Sequence, residues 1–245
     1  MKTATIRNRH GRKALLLHAT LTACLGFLGG ITPAKAGEIL NSDFSKGSFE
    51  ALGWTPKGEW EIVDYAVKTN KPGLPNNPGP VAVFTAKNKT PGTLTKKFDA
   101  AANPSSLTLT FDAGYGWGAK NHPQALQVMI LDAEGNGYIF NCGRANAAWA
   151  VGWGDVSRYA PCEKLETAPQ PIDATQDSVV TGGGLRTFTI TRDASGKWTF
   201  NGAGWTGGPL TFTDTEISNF SQIVLVGQRN SDELLFNKIK LDAAK

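Results

Sequence analysis

Histidine and cysteine are scarce in this chain, whose 245 residues hold three of each. Only one histidine, His122, lies beyond the first 36 residues, so a serine hydrolase relay would have to be built on it. No Gly-x-Ser-x-Gly turn is present to expose a nucleophilic serine. His122 sits in a glycine-rich stretch, Tyr115-Gly116-Trp117-Gly118-Ala119-Lys120-Asn121, just before Pro123. That context reads as a surface loop. Cysteine and histidine lack zinc spacing, and no EF-hand run of Asp-x-Asp-x-Asp-Gly occurs. Helical periodicity over three turns, heptads and internal repeats are also missing.

A surplus of positive charge is absent too, once the leader is recognised. The first 36 residues run from a basic region (Lys2, Arg7, Arg9, Arg12, Lys13) through the apolar ALLLHATLTACLGFLGGI to Pro33-Ala34-Lys35-Ala36. This is the order of a secretory signal peptide, with cleavage after Ala36. His18, Thr20 and Thr22 interrupt the apolar run, which argues against a membrane anchor. A lipoprotein box at Leu21-Thr22-Ala23-Cys24 ranks second, because the apolar run continues past Cys24. The leader holds six basic residues and no acidic one, leaving 19 basic against 21 acidic in the rest. The overall charge of +4 therefore gives no argument for nucleic acid as a partner. The expected product is secreted or periplasmic, with no stable membrane span after cleavage.

What remains, residues 37–245, is enough for one large domain. The stretch Lys68 to Pro80, KTNKPGLPNNPGP, reads as a long surface loop, since as a linker it would isolate a piece too small for a core. Alternation of apolar and polar residues dominates. It is clear in Glu61–Tyr65, Val81–Phe84, Ser106–Phe111, Leu126–Leu131 and Arg186–Thr191, all rich in Thr, Val, Ile and Phe. Asp193-Ala194-Ser195-Gly196 and Asp132-Ala133-Glu134-Gly135-Asn136-Gly137 read as hairpin turns with glycine at the positive-φ positions. The expectation is all-β: a two-sheet antiparallel β-sandwich of jelly-roll type.

The pieces Asn41-Ser42-Asp43-Phe44, Gly53-Trp54 and Gly58-Glu59-Trp60-Glu61-Ile62 resemble the first strands of the concanavalin A-like lectin/glucanase group, which includes laminin-G-like domains. LDAEGNGYIF, TFTITRDASGKWTFNG, Phe220 to Val226 and Leu235 to Leu241 follow in the same order. The resemblance implies that the last strand returns to pair near the first. It also implies sugar binding, glycan cleavage or an adhesive role as the functions to weigh. Hydrolases of the group carry Glu-x-Asp-x-x-Glu on one strand. Here Glu59, Glu61 and Asp64 have that spacing with the residue types exchanged, and alternation puts Glu59 and Glu61 on one face and Asp64 on the other. No compact set of lyase residues stands out. No cofactor is expected beyond a structural calcium, of the kind such domains hold, for which Asp43, Asn237 and Asp242 are candidates.

The cysteines and tryptophans carry the sharper expectation. In an exported chain Cys142 and Cys162 are expected to pair. Their bridge would fix CGRANAAWAVGWGDVSRYAPC, a Gly/Ala-rich excursion holding Trp149, Trp153, Asp155, Arg158 and Tyr159. With Tyr115, Trp117 and Asn121 from the other loop, these residues form a candidate sugar platform. Rings of Trp117, Trp149 and Trp153 would pack on pyranose C–H faces, and Asn121, Asp155 and Arg158 would bond the hydroxyls. The competing reading has these rings capping one end of the sandwich. Trp54, Trp60 and Trp198 are expected in the core. The leading expectation is an exported, non-catalytic, lectin-like carbohydrate-binding protein. A glycan-degrading enzyme and a structural or adhesive cell-surface protein are the alternatives.

Overall fold

A computed structural model describes residues 37–65, 79–86, 90–99, 106–115, 125–143, 151–159, 184–203, 209–228 and 233–243. Of 115, 125, 143, 151–159 and 184 the backbone alone is described. The leader expected over residues 1–36 lies outside the described residues, as does most of the Lys68 to Pro80 stretch. Among the described residues no helix is long and apolar enough to cross a membrane.

The strands in chain order are β1 (Glu38–Ser42), β2 (Thr55–Lys57), β3 (Trp60–Val63), β4 (Val81–Phe84), β5 (Gly92–Lys97), β6 (Leu107–Tyr115) and β7 (Ala125–Asp132). They continue as β8 (Gly137–Gly143), β9 (Val151–Tyr159), β10 (Gly184–Arg192), β11 (Lys197–Gly202), β12 (Leu210–Thr213), β13 (Phe220–Gln228) and β14 (Leu234–Ala243). Every pairing between them is antiparallel. An eight-stranded sheet has the order β12-β11-β10-β6-β14-β4-β3, with β1 beside β14, and a six-stranded sheet has the order β2-β5-β13-β7-β8-β9. The last strand does return to the first, since Ser42 stands opposite Ile239 and Glu38 opposite Asp242.

Alternation explains why the sheets face each other. Leu126, Val128 and Ile130 of β7, Tyr138 and Phe140 of β8, and Ile223 and Leu225 of β13 are fully buried on one side. Phe111 of β6, Phe188 and Ile190 of β10, and Trp198 and Phe200 of β11 meet them from the other sheet. Ring contacts tie the layers together: Tyr138 lies 4.8 Å from Trp198, and Phe140 lies 5.3 Å from Phe200, centroid to centroid. A smaller apolar cluster, Val81, Val83, Leu185, Leu235 and Tyr65, lies on the outer side of the eight-stranded sheet.

Both expected hairpin turns form. Gly135 and Gly196 hold φ of 91° and 80°, where an L side chain would be strained. Gly137 departs from the expectation of a turn glycine, because it opens β8 opposite Leu131. A Cβ there would stand 2.0 Å from the Ile130 carbonyl oxygen, so the requirement at this position is close strand approach.

The three tryptophans expected in the core are also located. Trp198 is fully buried and Trp54 nearly so. Trp54 follows a turn instead of lying in a strand, and its Nε1 donates to Ser42 Oγ at 2.9 Å. Trp60 is half-buried on the edge strand β3 and packs against Phe84 and Phe236.

Candidate functional site

The segment between the two cysteines differs from the loop expected of it. Nine of its residues, Val151–Tyr159, form β9, the edge strand of the six-stranded sheet. Gly152 and Gly154 lower the intrinsic strand propensity of VGWGDVSRY, which is why the sequence alone reads as an excursion. Pairing with β8 supplies the missing stabilisation: the register runs from Gly137 opposite Tyr159 to Asn141 opposite Asp155 and shifts before Gly143 meets Val151. Trp153 falls inside that shift.

Register also separates residues that the sequence groups together. Arg158 stands opposite Tyr138, whose ring is in the core, whereas Asp155 stands opposite Asn141 on the other side of the sheet. Asp155 and Arg158 therefore occupy opposite faces of β9. Cys142 is fully buried on the core side of β8, its Sγ 3.8 Å from the Phe140 carbonyl oxygen. Cys162 lies outside the described residues, as do Trp117, Asn121, His122 and Trp149. Tyr115 is the last residue of β6, opposite Gly184 and Leu234.

The described strands that flank the two expected segments end at a common place. β7 begins at Ala125, beside the end of β13 at Gln228. Gln127 is opposite Asn141, so β8 ends and β9 begins at this same end of the six-stranded sheet. The segment 116–124, with Trp117 and Asn121, runs into Ala125. The segment 144–150, with Trp149, leaves Gly143 and returns at Val151. Both join one end of one sheet.

On the outer face near that end, the pairings of β5, β13, β7, β8 and β9 align Thr93, Val226, Gln127, Asn141 and Asp155 in one cross-strand row. The next row is Thr95, Val224, Met129, Ile139 and Ser157. One side of this face is polar and its middle is aliphatic. The Asn141 Oδ1 atom is buried and has no hydrogen-bond partner among the described residues. An unsatisfied buried acceptor is costly, so a donor brought to Asn141 would be favoured there. Chemically, the described side chains of the row, Gln127 and Asn141, offer two amides beside a C–H surface. Gln127 and Asn141 escaped the sequence reading, although both are outward polar positions in otherwise apolar strands.

The acidic spacing Glu59-x-Glu61 sits elsewhere, on the edge of the eight-stranded sheet. Glu59 is exposed ahead of β3, Glu61 is half-buried opposite Val83, and Asp64 is exposed. Burial holds the Asp112 carboxyl above its ordinary value, opposed by the Thr187 hydroxyl, which donates at 2.7 Å, and by the charge of Lys238. Of the three calcium candidates, Asp242 stands apart from Asp43 along β1. Ser42, next to Asp43, is opposite Ile239, whereas Asp242 is opposite Glu38 at the far end of β1. For Asp43, burial is outweighed by hydrogen bonds from Ser45 and by Lys46, so its carboxyl lies below its ordinary range. Asp242 is paired with Lys240 at 2.8 Å. Among the described residues no group of three His, Cys, Asp or Glu side chains is placed to hold a metal ion.

No protein-family model matches the sequence, and no curated protein matches it as a relative. Solved structures do share its shape. The carbohydrate esterase of the Shiga toxin-encoding bacteriophage phi24B is 14% identical, with a TM-score of 0.54 over 86% of this chain and 100% of that one. The CBM2 module of the evolved Dit protein of Lactobacillus casei BL23 phage J-1 is 11% identical, with a TM-score of 0.55 over 85% and 96%. The binding domain of botulinum neurotoxin DC, solved with SialylT, is 13% identical, with a TM-score of 0.51 over 84% of this chain but 47% of that one. At such identities the likeness is one of fold, and the chain shares with these proteins a two-sheet antiparallel β-sandwich.

Proposed function

We propose that this chain is an exported, non-catalytic carbohydrate-binding protein of lectin-like, jelly-roll type. One observation carries the reading: the Gln127, Asn141, Asp155 row, with its unpartnered Asn141 acceptor, borders an aliphatic strip. It does so at the end of the sheet where the segments bearing Trp117 and Trp149 join. Amide and carboxylate groups suit sugar hydroxyls, and apolar and aromatic surface suits pyranose C–H faces. Two proteins of similar fold, a carbohydrate esterase and a CBM2 module, support a glycan over other small ligands. The sequence pieces that resemble concanavalin A-like lectins support the same reading, and cleavage after Ala36 would deliver the protein outside the cytoplasm.

A glycan array tests the proposal. The protein from Gly37 onward is expected to retain at least one glycan, and Asn141→Ala and Trp149→Ala to weaken that binding about tenfold or more, the loss of one or more good contacts. Glu59→Gln and Glu61→Gln are expected to bind as the wild type does. Retention by none of the glycans, or full retention by Asn141→Ala and Trp149→Ala together, would remove the reading.

The Cys142–Cys162 bridge expected from the sequence is not part of the proposal: Cys142 lies beside the start of β9, whereas Tyr159 stands opposite Gly137, five residues back along β8, a span of about 17 Å that three further residues cannot retrace.

A further inference from the structure

Over β6, β10, β11 and β12 the outer face of the eight-stranded sheet is rich in threonine. Leu107 and Leu109 of β6, Phe188 and Ile190 of β10, Trp198 and Phe200 of β11, and Phe212 of β12 face the core. The residues between them face outward. Thr108 is opposite Thr191, Thr191 opposite Thr199, and Thr199 opposite Thr211, so four threonines form one unbroken row across four strands. A second row follows with Thr110, Thr189 and Asn201. Where the first row meets the Asp193–Gly196 turn, a groove of about 680 Å³ opens, lined by Thr108, Thr191, Ser195 and Thr199 and by the oppositely charged Asp193 and Lys197, among others.

The groove has fixed walls and uncommitted hydroxyls. Asp193 Oδ1 accepts from Ser195 N, Ser195 Oγ and Lys197 N at 2.9, 2.6 and 3.0 Å, which braces the turn. The Thr187 hydroxyl is used by Asp112, but no side-chain hydrogen bond ties Thr108, Thr191, Thr199 or Thr211 to another described residue. Each hydroxyl both donates and accepts. Strand spacing repeats them about every 4.8 Å along the row, and the pleat sets the second row about 6.7 Å away. A matching ligand is extended, carries little charge, and presents its own donor-acceptor groups at a comparable interval. Neutral polysaccharides meet those conditions. A peptide strand would seek a sheet edge, where backbone groups are open. An ice surface demands a flat lattice, and a twist of roughly 20–25° per strand spoils one over four strands.

We propose that this groove is a second glycan site, which takes an unbranched neutral polysaccharide lying across β6, β10, β11 and β12, bound through hydroxyls without ring stacking. It lies on the other sheet from Asn141 and does not depend on that site. Affinity electrophoresis of the full protein in gels containing hydroxyethyl cellulose, xylan, glucomannan or amylose tests it. Retardation by at least one is expected, weakened about tenfold in a Thr191→Val/Thr199→Val double variant and unchanged in Glu134→Gln, an exposed position in the β7–β8 turn. Valine keeps the branched shape and strand propensity, and an unaltered circular dichroism spectrum will show that the fold persists. Affinity for oligomers of the retarding polysaccharide is expected to rise up to about four sugar units and then level. Retardation by none of the four, or equal retardation of wild type and double variant, overturns the proposal. Ice shaping without polysaccharide binding would assign the face to ice and overturn it too.

Discussion

Trp198→Ala is expected to cost about 3–5 kcal/mol, the range for truncating a large buried aromatic side chain. Total stabilities are of order 5–15 kcal/mol, so the variant should be marginally folded at best. The reason is position. Trp198 lies in β11 of the eight-stranded sheet, fully buried, with Tyr138, Phe140 and Phe220 of the other sheet at 4.8, 5.6 and 5.6 Å between ring centroids. Phe212 stacks on it at 6.0 Å, and the Arg192 guanidinium sits 5.8 Å over the ring. Truncation would leave a cavity between the sheets and strip Arg192 of a partner worth about 0.5–2 kcal/mol. Trp198→Phe should cost much less. It keeps a ring, and it removes an indole N–H that is buried without a hydrogen-bond partner among the described residues. Urea unfolding followed by far-ultraviolet circular dichroism compares the three proteins. A loss below about 1 kcal/mol in Trp198→Ala would contradict this packing.

Gly137→Ala is expected to be the most damaging single-methyl change, costing about 3 kcal/mol or more because the clash falls on backbone. The added Cβ would lie 2.0 Å from the Ile130 carbonyl oxygen and 2.9 Å from Leu131 Cα, neither of which can rotate away. Gly137 is also opposite both Leu131 and Tyr159, so β7, β8 and β9 all meet there. Gly135→Ala, two residues earlier, makes a useful comparison. Its Cβ would meet nothing within 4 Å, but φ is +91°, so it should lose about 1–2 kcal/mol through backbone strain alone. Urea midpoints are expected to fall further for Gly137→Ala than for Gly135→Ala. The reverse order would contradict the close pairing of β7 and β8. A shifted β8 would also carry Asn141 to the wrong face, since a one-residue slip inverts a strand.

The contrast between these two glycines illustrates how much could be read in the sequence. A positive-φ glycine in Asp-Ala-Glu-Gly announces itself, because turn chemistry is local. Gly137 does not, because its constraint is the carbonyl of a residue on the neighbouring strand. The same division runs through the fold. Strands such as LQVMIL and TFTITR show their alternation directly, and the two sheets follow from it. β9 was hidden, because its glycines weaken the local signal and its stabilisation comes from β8. Trp54 was correctly placed in the core, yet it is held by a turn and by Ser42 rather than by a strand.

The candidate site divides in a similar way. The sequence singled out the two aromatic segments, and their flanking strands do end together. It missed the polar row, because Gln127, Asn141 and Asp155 become neighbours only through register. Arg158 looked like a companion of Asp155 at a spacing of three, which is natural on a helix or a loop. On a strand that odd spacing puts the two on opposite faces.

The central claim is that the chain binds a glycan and leaves it unchanged. The most direct measurement is to incubate the protein with the glycan it retains and follow bound fraction and ligand mass together by mass spectrometry. Saturable binding with the glycan recovered at its original mass is the expected result. Release of a shorter or unsaturated product, abolished by Glu59→Gln or Glu61→Gln, would contradict the account.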